Sequence, residues 1–273
     1  MRWIPFVLAA TLTTAGADAA RAQEAQPLPA ELQAPQEQAK PDQPDAKKPP
    51  TPEHTGIHAL FRNLGDDYKH LWSVDNALVA AIGGGAALAV HPMDPTFNIH
   101  LESHYTLVNN VYAPAKYFGD TPEQVAMSLG TYALGRIVGA PKASHLGMDL
   151  LRAQILGESM IEPLKFVVGR ERPDHSNHQS FPSGHSAVTF AGATVLERHL
   201  GWKKAALGYL IASYVATSRL HDNVHYVSDV VFGAAVGTIA GRTVTQHGPT
   251  MWAVVPAQVQ GGYGIFITRR DLP

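Results

Sequence analysis

Three short clusters in the second half of the chain combine basic residues, histidines, serines and a carboxylate. In the first cluster, Lys165 and Arg172 lie seven residues apart. That spacing is two turns of an α-helix, so both side chains could reach one anion. The same pair could equally stabilise a helix end, where basic side chains complement the helix dipole. On its own, this cluster therefore does not distinguish an anion site from an ordinary helix end.

The second cluster, Ser180 to His185, stands directly before a stretch of helical character that runs from Ser186 to Arg198. Proline and serine before a helix are ordinary capping residues, which is one interpretation. The other is an anion site, because the first N–H groups of a helix point outward and Gly184 lets an anion approach the backbone. His185 would then lie beside that anion.

The third cluster joins Ser218 and Arg219 to His225 and Asp229, which lie four residues apart. On a helix, that spacing puts both on one face, so the carboxylate could accept a hydrogen bond from one imidazole nitrogen. The other nitrogen would keep its lone pair, which makes a histidine nucleophilic. An exposed ion pair without catalytic use has the same spacing, so this cluster is also ambiguous alone.

In this order, the three clusters resemble the signature of the type 2 phosphatidic acid phosphatase superfamily. The pattern is Lys-x6-Arg-Pro, then Pro-Ser-Gly-His, then Ser-Arg-x5-His-x3-Asp, and every fixed position is matched across the 65 residues from Lys165 to Asp229. That superfamily includes bacterial non-specific acid phosphatases, lipid phosphate phosphatases and vanadium haloperoxidases. The link of eight residues between Pro173 and Pro182 is shorter than in many soluble acid phosphatases, which leaves the substrate class open.

The resemblance implies a role for each matched residue. His225 would be the nucleophile that forms a phosphohistidine, with Asp229 as its orienting partner. His185 would be the general acid that protonates the leaving oxygen. The phosphate oxygens would be held by Lys165, Arg172, Arg219, the Ser183 hydroxyl and the Gly184 backbone N–H.

The implied reaction is hydrolysis of phosphomonoesters, lipid phosphates or lipid diphosphates. Three cations and a helix N-terminus can stabilise the charge on a phosphoryl group, so we expect no cofactor and no metal, Mg²⁺ included. A site shaped for five-coordinate phosphorus should also bind vanadate, which we expect to act as an inhibitor. Because one histidine must be neutral and the other protonated, the pH profile should be bell-shaped around roughly 6.5.

Two other functions would use the same residues. Bound vanadate can support peroxide-driven halide oxidation, so a vanadate-dependent haloperoxidase is the first alternative. A non-catalytic protein that binds phosphate or a lipid headgroup is the second. Apolar helices and export suit a lipid phosphate at a membrane surface, with peripheral membrane contact. A soluble bundle would instead suit a small phosphorylated molecule.

After about Ile57, apolar residues fall into helix-length segments separated by glycine, proline and polar turns, which predicts an all-α helical bundle of the acid phosphatase and vanadium haloperoxidase type. The segments are shorter than the roughly 20 apolar residues of a membrane span, so a soluble bundle is favoured. Alternating apolar residues around Gly261-Gly262 predict a short C-terminal β-hairpin. The predicted helical segments are Ala77 to Val90, Val125 to Val138, Leu146 to Leu156, Ala187 to His199 and Ala205 to Thr217.

The N-terminal residues have the composition of an export signal. Arg2 precedes a mostly apolar run, and Ala20-Arg21-Ala22 is a small-residue cleavage motif. We therefore expect an exported protein, periplasmic if it is bacterial. The next residues are rich in proline, glutamine and alanine and cannot bury enough apolar surface to fold. The predicted domains are 1–22, a signal peptide; 23–55, a disordered linker; 56–247, a helical phosphatase domain; and 248–273, a C-terminal tail.

The overall composition excludes some classes of function. The chain of 273 residues contains no cysteine, so it has neither disulfides nor thiolate metal sites nor a cysteine nucleophile. Its formal net charge is −2, and its basic residues form no stripe that could follow a nucleic-acid backbone. Nucleic acid is therefore not an expected partner.

Overall fold

In this computed structural model, which describes residues 56–102, 105–246, 250–259 and 262–271, the chain forms ten α-helices and one pair of β-strands. The predicted signal peptide and linker lie outside the described residues. A 3-10 turn, His91–Met93, joins α2 to α3. The elements are α1 Ile57–His70, α2 Val74–Val90, α3 Asp94–Leu101, α4 Thr106–Tyr112, α5 Ala115–Gly119, α6 Thr121–Ile137, α7 Pro141–Val168, α8 Gly184–Leu200, α9 Trp202–His221, α10 Val227–Thr245, β1 Thr250–Val259 and β2 Gly262–Asp271.

The predicted all-α bundle is confirmed, and the five predicted helical segments coincide with α2, α6, α7, α8 and α9. The helices belong to one compact unit, residues 45–247, and the strand pair belongs to a second. Within that second unit, β1 and β2 pair antiparallel, with Val259 opposite Gly262. This is the predicted hairpin, although Gly261 of the predicted turn lies outside the described residues.

The core of the helical unit lies where α7, α8 and α10 meet, and it is made largely of small side chains. Small residues let helix backbones approach closely, so the three helices hold one another in a fixed register. Leu156 and Val195 are completely buried in this layer. Its buried members are Ala153, Leu156, Ala191, Val195, Ala240 and Val244.

A line of glycines along α10 brings this helix directly against α8. Gly233, Gly237 and Gly241 recur every four residues, so they share one face of α10. A Cβ atom at any of the three would overlap a backbone carbonyl oxygen of α8 or of its N-cap residue. Only glycine permits this contact. As a result, the beginning of α10 lies against the beginning of α8, and the second and third sequence clusters meet there.

Large apolar side chains cover much of the outside of α2. Ile82 is 72% exposed and Leu88 is 75% exposed. The predicted segment Ala77 to Val90 is also only part of a longer helical stretch, because α2, the 3-10 turn and α3 together run from Val74 to Leu101. These 28 residues are long and apolar enough to cross a membrane, and only 17% of their most apolar window is buried. The length argument for a soluble bundle is therefore wrong for this segment.

Candidate active site

His225 lies in the short segment between α9 and α10 and is 3% exposed. Its Nδ1 is 2.6 Å from the carbonyl oxygen of Ser180. A carbonyl oxygen can only accept a hydrogen bond, so the proton of the neutral imidazole is on Nδ1 and Nε2 keeps its lone pair. Among the described residues, Nε2 has no hydrogen-bond partner. The backbone of the second cluster thus fixes the tautomer that a nucleophilic histidine needs.

Asp229 is buried in the first turn of α10, where it holds the segment around His225 in place. Its Oδ2 accepts hydrogen bonds from the Ser180 hydroxyl at 2.5 Å and from the Tyr226 backbone N–H at 2.8 Å. Its Oδ1 accepts one from Arg170 at 2.6 Å. The carboxylate therefore fixes Ser180, and the carbonyl of Ser180 fixes His225.

The predicted direct hydrogen bond between His225 and Asp229 is wrong. His225 Nδ1 lies 3.9 Å from Asp229 Oδ2, beyond hydrogen-bond range. The physical reason is that α10 begins only at Val227, so His225 precedes the helix and the two residues do not share a helical face. Asp229 acts on His225 through Ser180.

His185 lies in the first turn of α8, with its Nε2 between two groups of opposite charge. Nε2 is 2.8 Å from Oδ1 of Asp120 and 3.3 Å from Nη1 of Arg219. Burial lowers the pKa of His185 to about 4, assisted by the positive charge of Arg219, while Asp120 opposes that shift. Burial also lowers the pKa of His225 well below its ordinary value, and Arg172 lowers it further.

The three predicted phosphate-binding cations come from three different parts of the chain. Lys165 is in the last turn of α7 and Arg219 is in the last turn of α9. Gly169 ends α7 in the left-handed conformation (φ 57°), so Arg172 lies beyond that helix. The predicted shared helical face of Lys165 and Arg172 is therefore wrong, because the helix stops between them.

Even so, all three cations reach the same place. Lys165 Nζ would lie 3.4 Å from a Cβ added to Gly184, so it stands over the start of α8. Arg219 contacts His185, and the charge of Arg172 lowers the pKa of both His225 and Arg219. Nε of Arg172 is buried and has no hydrogen-bond partner within the described part of the chain. A buried donor without a partner suits a site that binds an anion.

The start of α8 forms the floor between these cations. Ser183 is the N-cap residue, and its hydroxyl accepts a long hydrogen bond of 3.5 Å from the Ser186 N–H. Its own backbone N–H donates to the carbonyl oxygen of Asp229 at 3.1 Å, which ties α8 to α10. With the side-chain-free Gly184 next in sequence, the first N–H groups of α8 can reach an anion. Ordinary capping is therefore observed at Ser183, and this capping is compatible with the predicted anion site.

Sequence reasoning assigned no role to three residues that shape this site, Arg170, Ser180 and Asp120. Arg170 donates hydrogen bonds to Asp229 and to Asp94 at the start of α3, and its guanidinium lies over the Tyr226 ring. Ser180 and Asp120 contact the two histidines, as described above. The recognised signature gave no reason to single out these residues. Only the extra arginine in the sequence Arg170-Glu-Arg172 was a visible signal.

One group of side chains outside the pocket has the composition of a metal site. His145, Asp149 and His199 place potential ligand atoms within 4.8 Å of one another. However, Asp149 already accepts hydrogen bonds from Arg152 at 2.6 Å and from His199 at 2.8 Å. These contacts satisfy the carboxylate as part of a polar network. His199 is also 14 residues along α8 from His185, which is about 21 Å at 1.5 Å per residue.

The part of the chain that carries the predicted site residues matches a known family model. Residues 146–252 match the family model described as the PAP2 superfamily. The matched segment includes all eight residues predicted from the sequence, from Lys165 to Asp229. The part of the chain that forms most of α7 to α10 and the pocket between them is thus similar to the PAP2 superfamily.

Several curated relatives match about a third of the chain. The lipid A 1-phosphatase of Porphyromonas gingivalis is 41% identical over 34% of this chain and 22% of its own length. The decaprenylphosphoryl-5-phosphoribose phosphatase of Mycobacterium tuberculosis is 35% identical over 31% of this chain and 51% of its own length. The chain thus spans at most about half of either relative. Among solved structures, Aquifex aeolicus LpxE is 23% identical, with a TM-score of 0.47, over 56% of this chain and 94% of that one.

Proposed function

We propose that this protein is a phosphatase that hydrolyses lipid phosphates through a phosphohistidine formed on His225. The observation that carries the proposal is the state of His225, whose Nδ1 proton is held by the Ser180 carbonyl and whose Nε2 is left to attack. The proposal is supported by the match of residues 146–252 to the PAP2 superfamily model and by relatives whose names describe phosphatases of lipid-linked phosphates.

In the first step, the substrate phosphate lies between Lys165, Arg172 and Arg219, with its oxygens near the Ser183 hydroxyl and the Gly184 N–H. His225 Nε2 attacks phosphorus while the bond from phosphorus to the leaving oxygen breaks. The negative charge of the bound phosphate favours a proton on His185, and Nε2–H gives this proton to the leaving oxygen, so the lipid leaves as an alcohol. The cations stabilise the charge spread over the phosphoryl oxygens.

In the second step, a water molecule attacks the phosphorus of the phosphohistidine. His185, now neutral, takes a proton from the water, and the bond between phosphorus and Nε2 breaks. Inorganic phosphate leaves, and both histidines return to their starting states. Asp229 and Ser180 hold the His225 ring in one orientation through both steps, which keeps Nε2 aligned with phosphorus.

Apolar surface beside the pocket favours a lipid over a small phosphomonoester. Directly after Lys165, Phe166 is 88% exposed and Val167 is 79% exposed. A cavity of about 480 Å³ lies between α2 and α10 and reaches Arg170, which contacts the Asp229 carboxylate. A hydrocarbon chain would cover such surfaces, whereas a soluble sugar phosphate would leave them in water. The cavity is lined mainly by Gly84, Ala87, Leu88, Val168, Phe181 and Phe232.

We further propose that the protein is exported and that it works at a membrane. The N-terminal composition supports export, and the exposed apolar face of α2 supports membrane association. Fractionation of cells that express the full chain would test both statements. Recovery in the membrane fraction after a high-salt wash is expected. Recovery in the soluble cytoplasmic fraction would contradict both.

The activity is tested with a panel of phosphatidic acid, an isoprenyl diphosphate, a nucleotide and p-nitrophenyl phosphate. Phosphate release from a lipid substrate is expected without an added metal ion, with strong inhibition by vanadate. His225→Ala is the matched blank for each substrate. Preference for the nucleotide would overturn the lipid assignment. A requirement for a divalent ion would overturn the proposed chemistry.

The phosphohistidine itself needs a direct measurement. A labelled lipid phosphate that is mixed briefly with the enzyme and quenched in alkali should leave label on the protein, at His225, because phosphohistidine survives alkali. The His225→Ala variant should carry none. Turnover without any trapped label at early times would argue for direct attack by water instead.

A further inference from the structure

Asp120 contacts the proposed general acid from outside the recognised signature. It lies between α5 and α6, before the segment that matches the PAP2 superfamily. Its Oδ1 is 2.8 Å from His185 Nε2, which is shorter than the 3.3 Å from Nε2 to Arg219 Nη1. The side chain of Asp120 is 39% exposed, so it lies at the open side of the pocket.

The two contacts of His185 Nε2 require different protonation states. A carboxylate accepts a hydrogen bond, so the contact to Asp120 forms when Nε2 carries a proton. A guanidinium N–H only donates, so the contact to Arg219 is favourable when Nε2 is bare. Asp120 therefore favours the proton on His185, and Arg219 opposes it. The shorter contact is the one to Asp120.

The charged groups around His185 make this effect of Asp120 important. Arg219 on α9 and Lys165 on α7 both disfavour a proton on His185. A charge on His185 in turn lowers the pKa of His225. Glu158 on α7 stands close to Gly184, but its Oε1 accepts a hydrogen bond from Thr121. The charge of Asp120 raises the pKa of His185 in opposition to burial and to these cations.

The segment that carries Asp120 also fixes the His185 ring by packing. Gly119 ends α5, and a Cβ atom at this position would lie 2.8 Å from Cδ2 of His185. Cδ2 is bonded to Nε2, so the edge of the ring that must face the leaving oxygen lies directly against the junction between α5 and α6. Packing by Gly119 and the ion pair with Asp120 thus act on the same edge of the ring.

We propose that Asp120 is a positioning residue that keeps the proton on His185 Nε2 and so sets which leaving groups the enzyme can expel. The proposal rests on the proposed phosphatase function. When substrate binds, the leaving oxygen replaces Asp120 as the acceptor of the Nε2 proton, and the partly exposed carboxylate turns to water. Substrates whose leaving group is an alkoxide need this proton, whereas p-nitrophenolate leaves without it.

The test compares the Asp120→Asn variant with the wild type on an alkyl or lipid phosphate and on p-nitrophenyl phosphate. The kcat/KM for the alkyl phosphate should fall by roughly tenfold or more, because general acid catalysis contributes 10²–10⁴-fold. The value for p-nitrophenyl phosphate should change by less than about twofold on the same reasoning. The alkaline limb of the pH profile should move to lower pH, and Asp120→Glu should restore part of the loss.

Asp222→Asn is the matched control. Asp222 has a similarly exposed side chain, at 41%, and pairs with Arg219 at 2.7 Å without contacting His185. Its replacement should change the rates on both substrates by the same factor. An equal loss on both substrates in Asp120→Asn, with an unmoved alkaline limb, would overturn the role of Asp120.

A measurement that needs no turnover separates this inference from the proposed function. The titration of His185 followed by nuclear magnetic resonance should show a lower pKa in Asp120→Asn than in the wild type, because a raising influence has been removed. If the wild type hydrolyses no phosphate ester but this shift is seen, the proposed function fails and the ion pair stands. An unchanged His185 titration overturns the Asp120 proposal in either case.

Discussion

Two clusters of histidine, arginine and aspartate side chains lie at the two ends of α8, and they differ in how their hydrogen-bonding groups are paired. At the C-terminal end, Asp149 accepts hydrogen bonds from Arg152 and His199, and Arg152 also pairs with Asp67 at 3.1 Å. These side chains are at most 9% exposed. At the N-terminal end, His225 Nε2 and Arg172 Nε make no hydrogen bond within the described residues.

This difference distinguishes a cluster that stabilises the fold from a cluster that could bind and attack a phosphate. At the C-terminal end, Arg152 Nε also has no hydrogen-bond partner within the described residues, but the carboxylates of Asp67 and Asp149 are paired with Arg152 and His199. Because burying charged groups is costly unless they are paired, this closed cluster stabilises the helix packing only while those pairs are intact. The cluster at the N-terminal end leaves a nucleophilic nitrogen and an arginine donor without protein partners, which a phosphate can use. Four experiments test this contrast, from the largest expected effect to the smallest.

Replacing His225 by alanine should abolish turnover without unfolding the protein. The loss should be about 10⁴-fold or more, as for other enzymes that lose their nucleophile. The measurement is kcat on a lipid phosphate, together with the thermal unfolding midpoint. His178→Ala, in the exposed link between α7 and α8, serves as the control and should keep its activity. Activity of His225→Ala within about tenfold of the wild type would remove the nucleophile from the proposal.

Replacing Arg152 by methionine, in the cluster at the C-terminal end of α8, should lower stability but leave the kcat of the folded enzyme unchanged. The change leaves Asp67 and Asp149 buried without their cation, which typically costs about 3–5 kcal/mol of folding free energy. The folded fraction should nevertheless turn over substrate at a normal kcat. Chemical unfolding gives the free energy of unfolding. The control is Lys142→Met, at an exposed position on α7, the helix that carries Arg152, and it should change this free energy by less than about 0.5 kcal/mol. A stable variant would mean that the closed cluster contributes little.

Replacing Asp229 by asparagine should leave a folded but slower enzyme. Because Asp229 acts on His225 through Ser180, the expected loss in kcat is roughly tenfold, or about 1.4 kcal/mol. Ser180→Ala keeps the carbonyl that contacts His225 but removes the hydroxyl, so it should lose no more than Asp229→Asn. A loss as complete as that of His225→Ala would instead indicate direct contact between Asp229 and the nucleophile during catalysis.

The smallest effect is expected at Asp67, in the closed cluster. Burial raises the pKa of Asp67 to about 7 despite the nearby Arg152. An acid whose pKa is raised on folding stabilises the fold when protonated, so stability should fall as pH rises from about 4 to about 7. Asp67→Asn removes this titration and should flatten that slope, with a change below about 1 kcal/mol at pH 4. An unchanged slope would assign the pH dependence to other groups.

The identity of the site residues could be predicted from the sequence, but several of their contacts could not. The order and spacing of the three clusters, and the family they resemble, predicted eight site residues, and the structure brings them together around the start of α8. The predicted contact between His225 and Asp229 was wrong, since it assumed a helix through both residues. Helix boundaries depend on capping and packing, and here the Asp229 side chain itself caps the backbone N–H of Tyr226 at the start of α10.

The sequence by itself determined the all-α class, the terminal hairpin and the residues that can carry phosphate chemistry, because these follow from local periodicity and residue type. Only the tertiary structure decided which atoms meet. It selected the Ser180 carbonyl as the partner of His225, placed Asp120 against His185, and paired the carboxylates of one polar cluster while leaving a nucleophilic nitrogen without a partner in the other. The contacts of His225 and His185 join residues far apart in the chain. The contact between Ser180 and His225 depends on how closely α10 packs against α8 through its glycines.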